Sequence, residues 1–211
     1  MIFLRYESFR SYLRLYPVTS ALLAVLIGVH IANLLMGGAL STRGAFFLWH
    51  EGNPYGLVQP WRYITSILLH GDWMHLFYNC FSLLVFAPPL ERLLGHVRYL
   101  LFFLLCGVIG NVLSMLMFQT SADPSHLAVG ASGGIYGVFG AYLYLAVFRK
   151  DGMDEGSRKT VYAILIFGLI YTFLNPRVDV WGHIGGAIAG LLLLMPFTPR
   201  RGAGGGGGRW S

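Results

Sequence analysis

Charged residues are scarce in this chain. Only 11% of the 211 residues are Asp, Glu, Lys or Arg, while 55% are hydrophobic. Soluble domains carry about 25% charged residues, so an ordinary soluble fold is excluded and a chain embedded in a lipid bilayer is predicted. The net charge of +6 is spread over short segments instead of forming one basic patch. Nucleic acid is therefore not an expected partner.

Cysteine is nearly absent as well. Cys80 and Cys106 are the two thiols of the sequence, and both fall inside apolar runs. This placement favours two thiols in apolar surroundings over a disulfide or a zinc site. We expect no metal site and no cofactor.

Long apolar runs dominate what is present. A membrane-spanning helix needs roughly 20 mostly apolar residues, and six segments qualify or nearly do so. They are Val18 to Met36, Trp73 to Ala87, Tyr99 to Gln119, Val129 to Phe148, Thr160 to Leu174 and Val180 to Phe197. The sequence therefore predicts an all-α polytopic membrane protein with six transmembrane helices. Residues 17–198 would form the helical domain, 1–16 a cytoplasmic N-terminal segment, and 199–211 a flexible glycine-rich cytoplasmic tail.

Basic residues indicate the orientation of these spans. Twelve of the fifteen Lys and Arg residues lie in the first, third, fifth and seventh segments outside the spans, leaving Arg43, Arg62 and Arg177 on the other side. Because cytoplasmic loops are enriched in Lys and Arg, both termini are predicted to be cytoplasmic. The first apolar run lacks a signal-peptide cleavage site and no transit peptide is evident, so a bacterial cell membrane is the expected location.

Polar side chains inside the second span stand out, because lipid excludes such groups unless they face protein or water. His75 and Asn79 are four residues apart, which places them on one helical face. Asp72 is a predicted N-cap, so both side chains would lie just below the outer water boundary.

Small residues line two further spans. Gly133, Gly137 and Ala141 form one ridge and Gly182, Gly186 and Gly190 another, and such ridges let helix backbones approach closely in lipid. Ser132 and His183 lie beside these ridges at similar predicted depths. A short serine side chain would then be able to reach a histidine on another helix.

This pair suggests nucleophilic catalysis. A histidine can accept the proton of a serine hydroxyl, which makes Ser132 a candidate nucleophile and His183 its base. Attack on a peptide carbonyl creates an oxyanion that needs donors in place. The backbone N–H of Ser132 at a helix start and the side chains of His75 and Asn79 are candidates for this role.

Three motifs resemble those of the rhomboid intramembrane serine proteases. They are Gly130-Ala131-Ser132-Gly133, His75-x-x-x-Asn79 and His183-x-x-Gly186-x-x-x-Gly190. Trp61-Arg62, Glu91 and Gly95 extend the resemblance, although Arg92 follows Glu91 directly where the family often has an arginine two residues on. The resemblance covers most of the chain, from the first span to the sixth.

The resemblance implies a six-helix rhomboid-type bundle with a Ser132/His183 dyad and an oxyanion site formed by Ser132 N–H, His75 and Asn79. It also implies that Tyr136 packs against the catalytic histidine, that Gly130, Gly133 and Gly186 support the site, and that the loop from Ala45 to Trp61 lies partly in the membrane. The implied substrates are single-span membrane proteins, cut near the outer membrane face.

Other interpretations remain open at this point. Each polar residue alone is compatible with an ordinary structural hydrogen bond, although four such residues at one depth favour a joint role. A transporter is disfavoured because no inverted repeat is evident. A catalytically inactive rhomboid-like protein that binds membrane clients would share the fold.

Other polar residues in or near the spans have simpler explanations. His30 and Asn33 share a helical face, and Ser114 lies deep in a span, so hydrogen bonding within the bundle is expected for all three. His70 is expected at the outer aqueous edge, where simple exposure would explain it; the resemblance implies instead a role in water access.

Overall fold

The computed structural model describes residues 2–4, 6–149, 153–176 and 178–197, and these are mostly helical. The helices are α1 (Phe9–Leu15), α2 (Pro17–Leu35), α3 (Ala39–Gly44), α4 (Arg62–Thr65), α5 (Trp73–Leu94), α6 (His96–Phe118), α7 (Ser132–Phe148), α8 (Glu155–Leu174) and α9 (Val180–Leu194). Two strands, β1 (Phe46–Trp49) and β2 (Ser125–Ala128), and two 3-10 turns, Ser66–Leu68 and Met195–Phe197, complete the described elements. The predicted tail, residues 199–211, lies outside them.

Several helices are suited to lipid. Among the described residues, α2, α6, α8 and the segment from Val180 to Phe197 are long and apolar enough to cross a membrane, and α7 is a shorter apolar helix of 17 residues. Helix α8 exposes large apolar side chains such as Phe167 and Phe173, as a helix facing hydrocarbon does. The chain is an integral multi-pass membrane protein.

Helix α5 continues to Leu94, beyond its predicted end at Ala87. Pro88 and Pro89 lie inside the helix, and Pro88 has no N–H to donate to the carbonyl of Leu84. The hydroxyl of Tyr12 donates to that carbonyl instead, at 3.1 Å. The neighbouring helix α1 therefore satisfies the backbone oxygen that Pro88 leaves without its helical donor.

Helix α8 begins at Glu155, five residues earlier than the predicted Thr160. Asp154 caps it by accepting a hydrogen bond from Ser157 N at 3.0 Å. Two other helices also start away from the expected residues: α6 at His96 instead of Tyr99, and α7 at Ser132 instead of Val129. Local capping and turn geometry, which hydrophobic runs do not report, set these starts.

The chain is not entirely helical, which corrects the all-α prediction in one detail. Strand β1 pairs antiparallel with β2, with Phe46 opposite Ala128 and Trp49 opposite Ser125. Phe46 and Leu48 are fully buried and pack with Phe118 at the end of α6. This two-stranded ribbon of β1 and β2 connects the first loop to the segment that leads into α7.

The closest helix packing involves α6, α7 and α9. A Cβ on Gly186 would overlap the carbonyl of Gly133, and a Cβ on Gly190 would overlap the backbone of Gly137. The free thiol of Cys106 also packs against Gly137. These contacts show the close backbone approach that the sequence predicts for such ridges, here between α7 and α9.

Candidate active site

Ser132 is the first residue of α7, and the loop before it is held from two sides. Gly130 N donates to Ser66 O at 2.9 Å, and the amide of Asn111 on α6 donates to Ser66 Oγ at 3.0 Å. Asn111 also donates to Tyr63 O at 2.8 Å. The segment before Ser132 is thus bonded to the 3-10 turn at Ser66, and Asn111 of α6 holds that turn in place.

Gly130 occupies a conformation that side chains rarely adopt, with φ of 132°. A Cβ there would lie 2.7 Å from His75 Nε2 and 3.5 Å from Ser132 Oγ. The imidazole of His75 and the serine hydroxyl therefore converge on the space that this glycine leaves open.

His183 is held on α9 by two side chains from other helices. Its ring is 7% exposed and stacks on the ring of Tyr136, with centroids 4.0 Å apart and planes 16° from parallel. Its Nδ1 lies 2.8 Å from Thr172 Oγ1 on α8. The contact with Tyr136 agrees with the expectation from the resemblance, whereas Thr172 was not among the predicted site residues.

Ser132 and His183 face the same cavity. Its lining includes Ser66, Asn111, Gly130, Ser132, Asp179 and His183. The close approach of α7 to α9 at Gly133 and Gly186 places the two helix starts side by side. The arrangement offers a hydroxyl, an imidazole and backbone donors in one enclosed space.

His75 and Asn79 lie one turn apart on α5, as predicted. The side chain of Asp72 accepts from His75 N at 2.8 Å, which confirms the predicted N-cap. The Asn79 amide donates to His75 O at 2.8 Å, and its second N–H is left for another acceptor.

A second polar cluster, made of Ser114, His126 and Asp179, lies beside the cavity. Ser114 Oγ is 2.9 Å from Asp179 Oδ1 and 2.9 Å from His126 Nε2, and His126 Nε2 is 3.5 Å from Asp179 Oδ2. Asp179 also caps α9 by accepting from Gly182 N at 2.9 Å. Burial alone would raise the pKa of Asp179, but His126, Gly182 N–H and Ser114 stabilise the carboxylate and hold its pKa below the usual value.

The sequence predicts a hydrogen bond for Ser114 but does not indicate that Ser114, His126 and Asp179 form a cluster. Its members lie on α6, β2 and the residue before α9. The local sign of it in the sequence is Asp179, which precedes Gly182 by three residues, the spacing of an N-cap. The cluster joins the ribbon to the first turn of the helix that carries His183.

Two further histidines lie near the N-terminal end of α5. His70 is 2% exposed and its ring centroid is 5.1 Å from that of His75, so the expectation of simple exposure is wrong. Ile67 and Leu69, just before His70 in the chain, are buried as well, so this part of the chain lies inside the protein and not at an exposed edge. His30 is also buried and contacts the ring of Trp73 at 4.6 Å.

Glu91 organises the opposite end of the bundle. It lies inside α5, not after the second span, and is completely buried. Its carboxylate accepts from Val18 N at 2.9 Å and Thr19 N at 2.8 Å, and lies 2.7 Å from His96 Nδ1. The first loop has its own anchor in Arg62, which donates to Ala45 O at 2.7 Å.

The fold and the cavity define a class: a multi-pass membrane protein in which a helix-start serine and a buried histidine share one enclosed space. The family model described as the Rhomboid domain matches residues 58–200. The chain belongs to the rhomboid family.

Curated relatives agree. The chain is 35% identical over 198 residues to the Bacillus subtilis protein named "Putative rhomboid protease YdcA", covering 91% of this chain and 94% of that one. It is 35% identical over 144 residues to "Rhomboid protease GluP" of the same organism, covering 68% of this chain and 27% of that protein. It is 33% identical over 171 residues to "RHOMBOID-like protein 5" of Arabidopsis thaliana, covering 80% of this chain and 51% of that protein. At the level of the family, these relatives support an intramembrane protease.

Proposed function

We propose that this chain is an intramembrane serine endopeptidase that uses Ser132 as nucleophile and His183 as base. The observation that carries the proposal is that both residues line one cavity at the starts of two helices in backbone contact. Thr172 occupies Nδ1 of His183, which leaves Nε2 as the nitrogen available to the serine hydroxyl.

The proposed reaction follows from this pair. Ser132 Oγ attacks the scissile carbonyl carbon while its proton passes to His183 Nε2. The C–N bond then breaks, and His183 returns the proton to the leaving amine, which leaves an acyl-enzyme on Ser132. Water from the outer side then attacks the ester carbonyl while His183 takes its proton; the C–Oγ bond breaks, and His183 returns the proton to Ser132 Oγ.

The oxyanion of each tetrahedral intermediate needs donors that are already oriented. Ser132 N–H lies in the first turn of α7, where backbone donors lack helical partners. We assign the other two donors to His75 and Asn79. Tyr136 supports His183 by stacking on its ring. Gly133 and Gly186 allow α7 and α9 to approach closely, and Gly130 leaves room for the imidazole of His75.

The substrate class follows from the location of the site. We propose six membrane-spanning helices, α2 and α5 to α9, within a domain of residues 17–198, with both termini in the cytoplasm of a bacterium. The site then lies near the outer membrane face, and the expected substrates are single-span membrane proteins. Because helical hydrogen bonds hide carbonyls, cleavage should favour segments with small or helix-breaking residues.

Cleavage of a model single-span substrate by the purified protein in detergent tests the proposal, with products located by mass spectrometry. Ser132→Ala and His183→Ala should each lower kcat by at least about 10³-fold. Ser20→Ala is the matched control, because among the described residues Ser20 Oγ donates to Tyr16 O of the same helix turn, at 2.8 Å. It should retain the activity of the unmodified protein.

Covalent labelling by a fluorophosphonate separates the remaining outcomes. Labelling of the unmodified protein that is lost in Ser132→Ala supports the assignment. Turnover that persists in Ser132→Ala contradicts it. Absence of both cleavage and labelling in the unmodified protein would favour an inactive family member that binds membrane clients.

A further inference from the structure

Thr172 is a polar exception on a helix that faces lipid. Its neighbours on α8, Tyr171 and Phe173, are more than half exposed, at 53% and 66%, whereas Thr172 is fully buried. Burying a hydroxyl among apolar neighbours costs free energy of folding unless the hydroxyl is hydrogen-bonded. Its partners therefore indicate what it does.

Those partners lie on two other helices. Thr172 Oγ1 is 3.0 Å from the hydroxyl of Tyr136 on α7 and 2.8 Å from Nδ1 of His183 on α9. The Tyr136 ring also stacks on the face of the His183 ring. Tyr136 is therefore linked to His183 twice: directly by stacking, and through Thr172 by the two hydrogen bonds. Gly168, one turn before Thr172, leaves room for the Tyr136 hydroxyl, since a Cβ there would lie 2.8 Å from that oxygen.

An ordinary threonine on this helix behaves differently. Thr160 Oγ1 donates to Gly156 O of its own helix at 2.9 Å, the bond that helical threonines commonly make. Thr172 is thus distinguished from a packing residue by contacts that join α7, α8 and α9.

The bond to Nδ1 constrains the proton of the imidazole. A neutral imidazole carries one proton, and His183 can accept the Ser132 proton at Nε2 only if that proton is on Nδ1. The hydrogen bond at one ring nitrogen selects the tautomer of the other. Thr172 can therefore accept Nδ1–H of His183 at one lone pair of Oγ1 while donating its own hydroxyl proton to the oxygen of Tyr136.

We propose that Thr172 is a positioning residue for His183: it accepts Nδ1–H, selects the tautomer with Nε2 free, and keeps its acceptor in place when Nε2 becomes protonated. In this dyad the threonine hydroxyl fills the orienting position that a carboxylate fills in a triad. The inference rests on the proposed function and adds a third group to it.

Two substitutions at position 172 test the role. Thr172→Val keeps the shape and removes the acceptor, and should lower kcat by about 10- to 100-fold while KM changes less than about twofold. Thr172→Ser restores the hydroxyl and should return kcat to within about threefold of the unmodified protein. Thr160→Val, the matched control on the same helix, should leave both parameters unchanged.

The results that overturn the proposal are specific. An unchanged kcat in Thr172→Val would contradict it. A loss in Thr172→Ser equal to that in Thr172→Val would assign the effect to packing instead of the hydroxyl. Equal losses in Thr172→Val and Thr160→Val would attribute them to general weakening of α8.

A readout without substrate keeps the test independent of the proposed function. ¹⁵N spectra of histidine-labelled protein, with the His183 signal identified by its loss in His183→Gln, should show Nδ1 protonated in the unmodified protein. Thr172→Val should shift this population toward Nε2 protonation. An identical spectrum in both proteins would overturn the role of Thr172, whereas failure of the unmodified protein to cleave or label would overturn the proposed function alone.

Discussion

His70 is a buried ring with unusual protonation behaviour. Burial and the neighbouring His75 and His30 rings lower the pKa of His70 to about 3, although Asp72 opposes this shift. The ring is therefore neutral in the folded protein at all ordinary pH values, while in the unfolded chain it takes up a proton below about pH 6.5.

This difference predicts a loss of stability on acidification. Because the folded pKa is depressed, the contribution of His70 is complete above pH 6.5 and is lost as the pH falls from 6.5 toward 3. Between pH 6.5 and pH 5 the loss should be about 2 kcal/mol. The Tm of His70→Phe should therefore depend less on pH across this interval than that of the unmodified protein, measured by intrinsic fluorescence in detergent. Equal pH slopes would show that His70 is not the group responsible.

Individual site residues differed in how well the sequence predicted them. The candidates Ser132, His183, His75 and Asn79 stand out in the sequence because each is polar within an apolar run. The structure places Ser132 and His183 on one cavity and His75 beside Gly130, near Ser132. Thr172 was missed because a threonine in a helix ordinarily bonds its own backbone. Its actual partners lie 36 and 11 residues away in the sequence, on different helices.

At the scale of secondary-structure elements, the contact between α7 and α9 has the least free space. Gly190 lies against the backbone of Gly137, where a Cβ would be 2.7 Å from the Gly137 Cα. Backbone atoms cannot rotate away as a side chain can, so any substituent must push the two helices apart.

Gly190→Ala should therefore destabilise the protein by about 1–3 kcal/mol, lower the Tm by about 5 °C, and reduce cleavage by separating the proposed nucleophile from its base. Gly28→Ala on α2 is the matched control, because a Cβ there meets nothing within 4 Å. It should keep the Tm or raise it slightly, since alanine favours helix more than glycine does. A Gly190→Ala protein as stable as Gly28→Ala would mean that the helices separate without cost.

Element types were easier to predict than their boundaries. Apolar runs of the right length identified the long helices, since lipid requires such runs. The end of α5 was predicted too early because two prolines follow Ala87. The hydrogen bond from Tyr12 to the carbonyl of Leu84 helps the helix continue, and such a tertiary contact cannot be read from the local sequence. The ribbon was missed because β1 finds its partner only across the whole of α5 and α6.

At the scale of the whole molecule, the proposed orientation places the two ends of α6 on opposite sides of the membrane. The end near Val97 carries basic neighbours, Arg92 and Arg98, while the other end leads through Ala122 to the ribbon. Val97 and Ala122 are both exposed and lie near the two ends of α6, so the proposed orientation puts each at a membrane–water boundary, on opposite sides.

Labelling with a membrane-impermeant maleimide tests this orientation in a protein with Cys80→Ala and Cys106→Ala. Ala122→Cys should react in intact cells, and Val97→Cys only after the membrane is opened. The reverse pattern would invert the orientation. Reaction of both sites in intact cells would show that α6 does not cross the membrane.

The family and the membrane class followed directly from the sequence, since both depend on composition and on short motifs with fixed spacing. The packing order of the helices did not follow. It depends on which glycine ridges meet, and this is a property of the assembled backbone.

The position of α9 in the chain has a consequence during synthesis. Because α9 follows α7 in the chain and carries His183, synthesis must reach α9 before Ser132 can meet its proposed base. On the proposed mechanism, Ser132 therefore remains without that base while the earlier helices enter the membrane. A nascent protease that works in this way would be unable to cut its own unfinished helices, or those of neighbouring proteins leaving the same translocon.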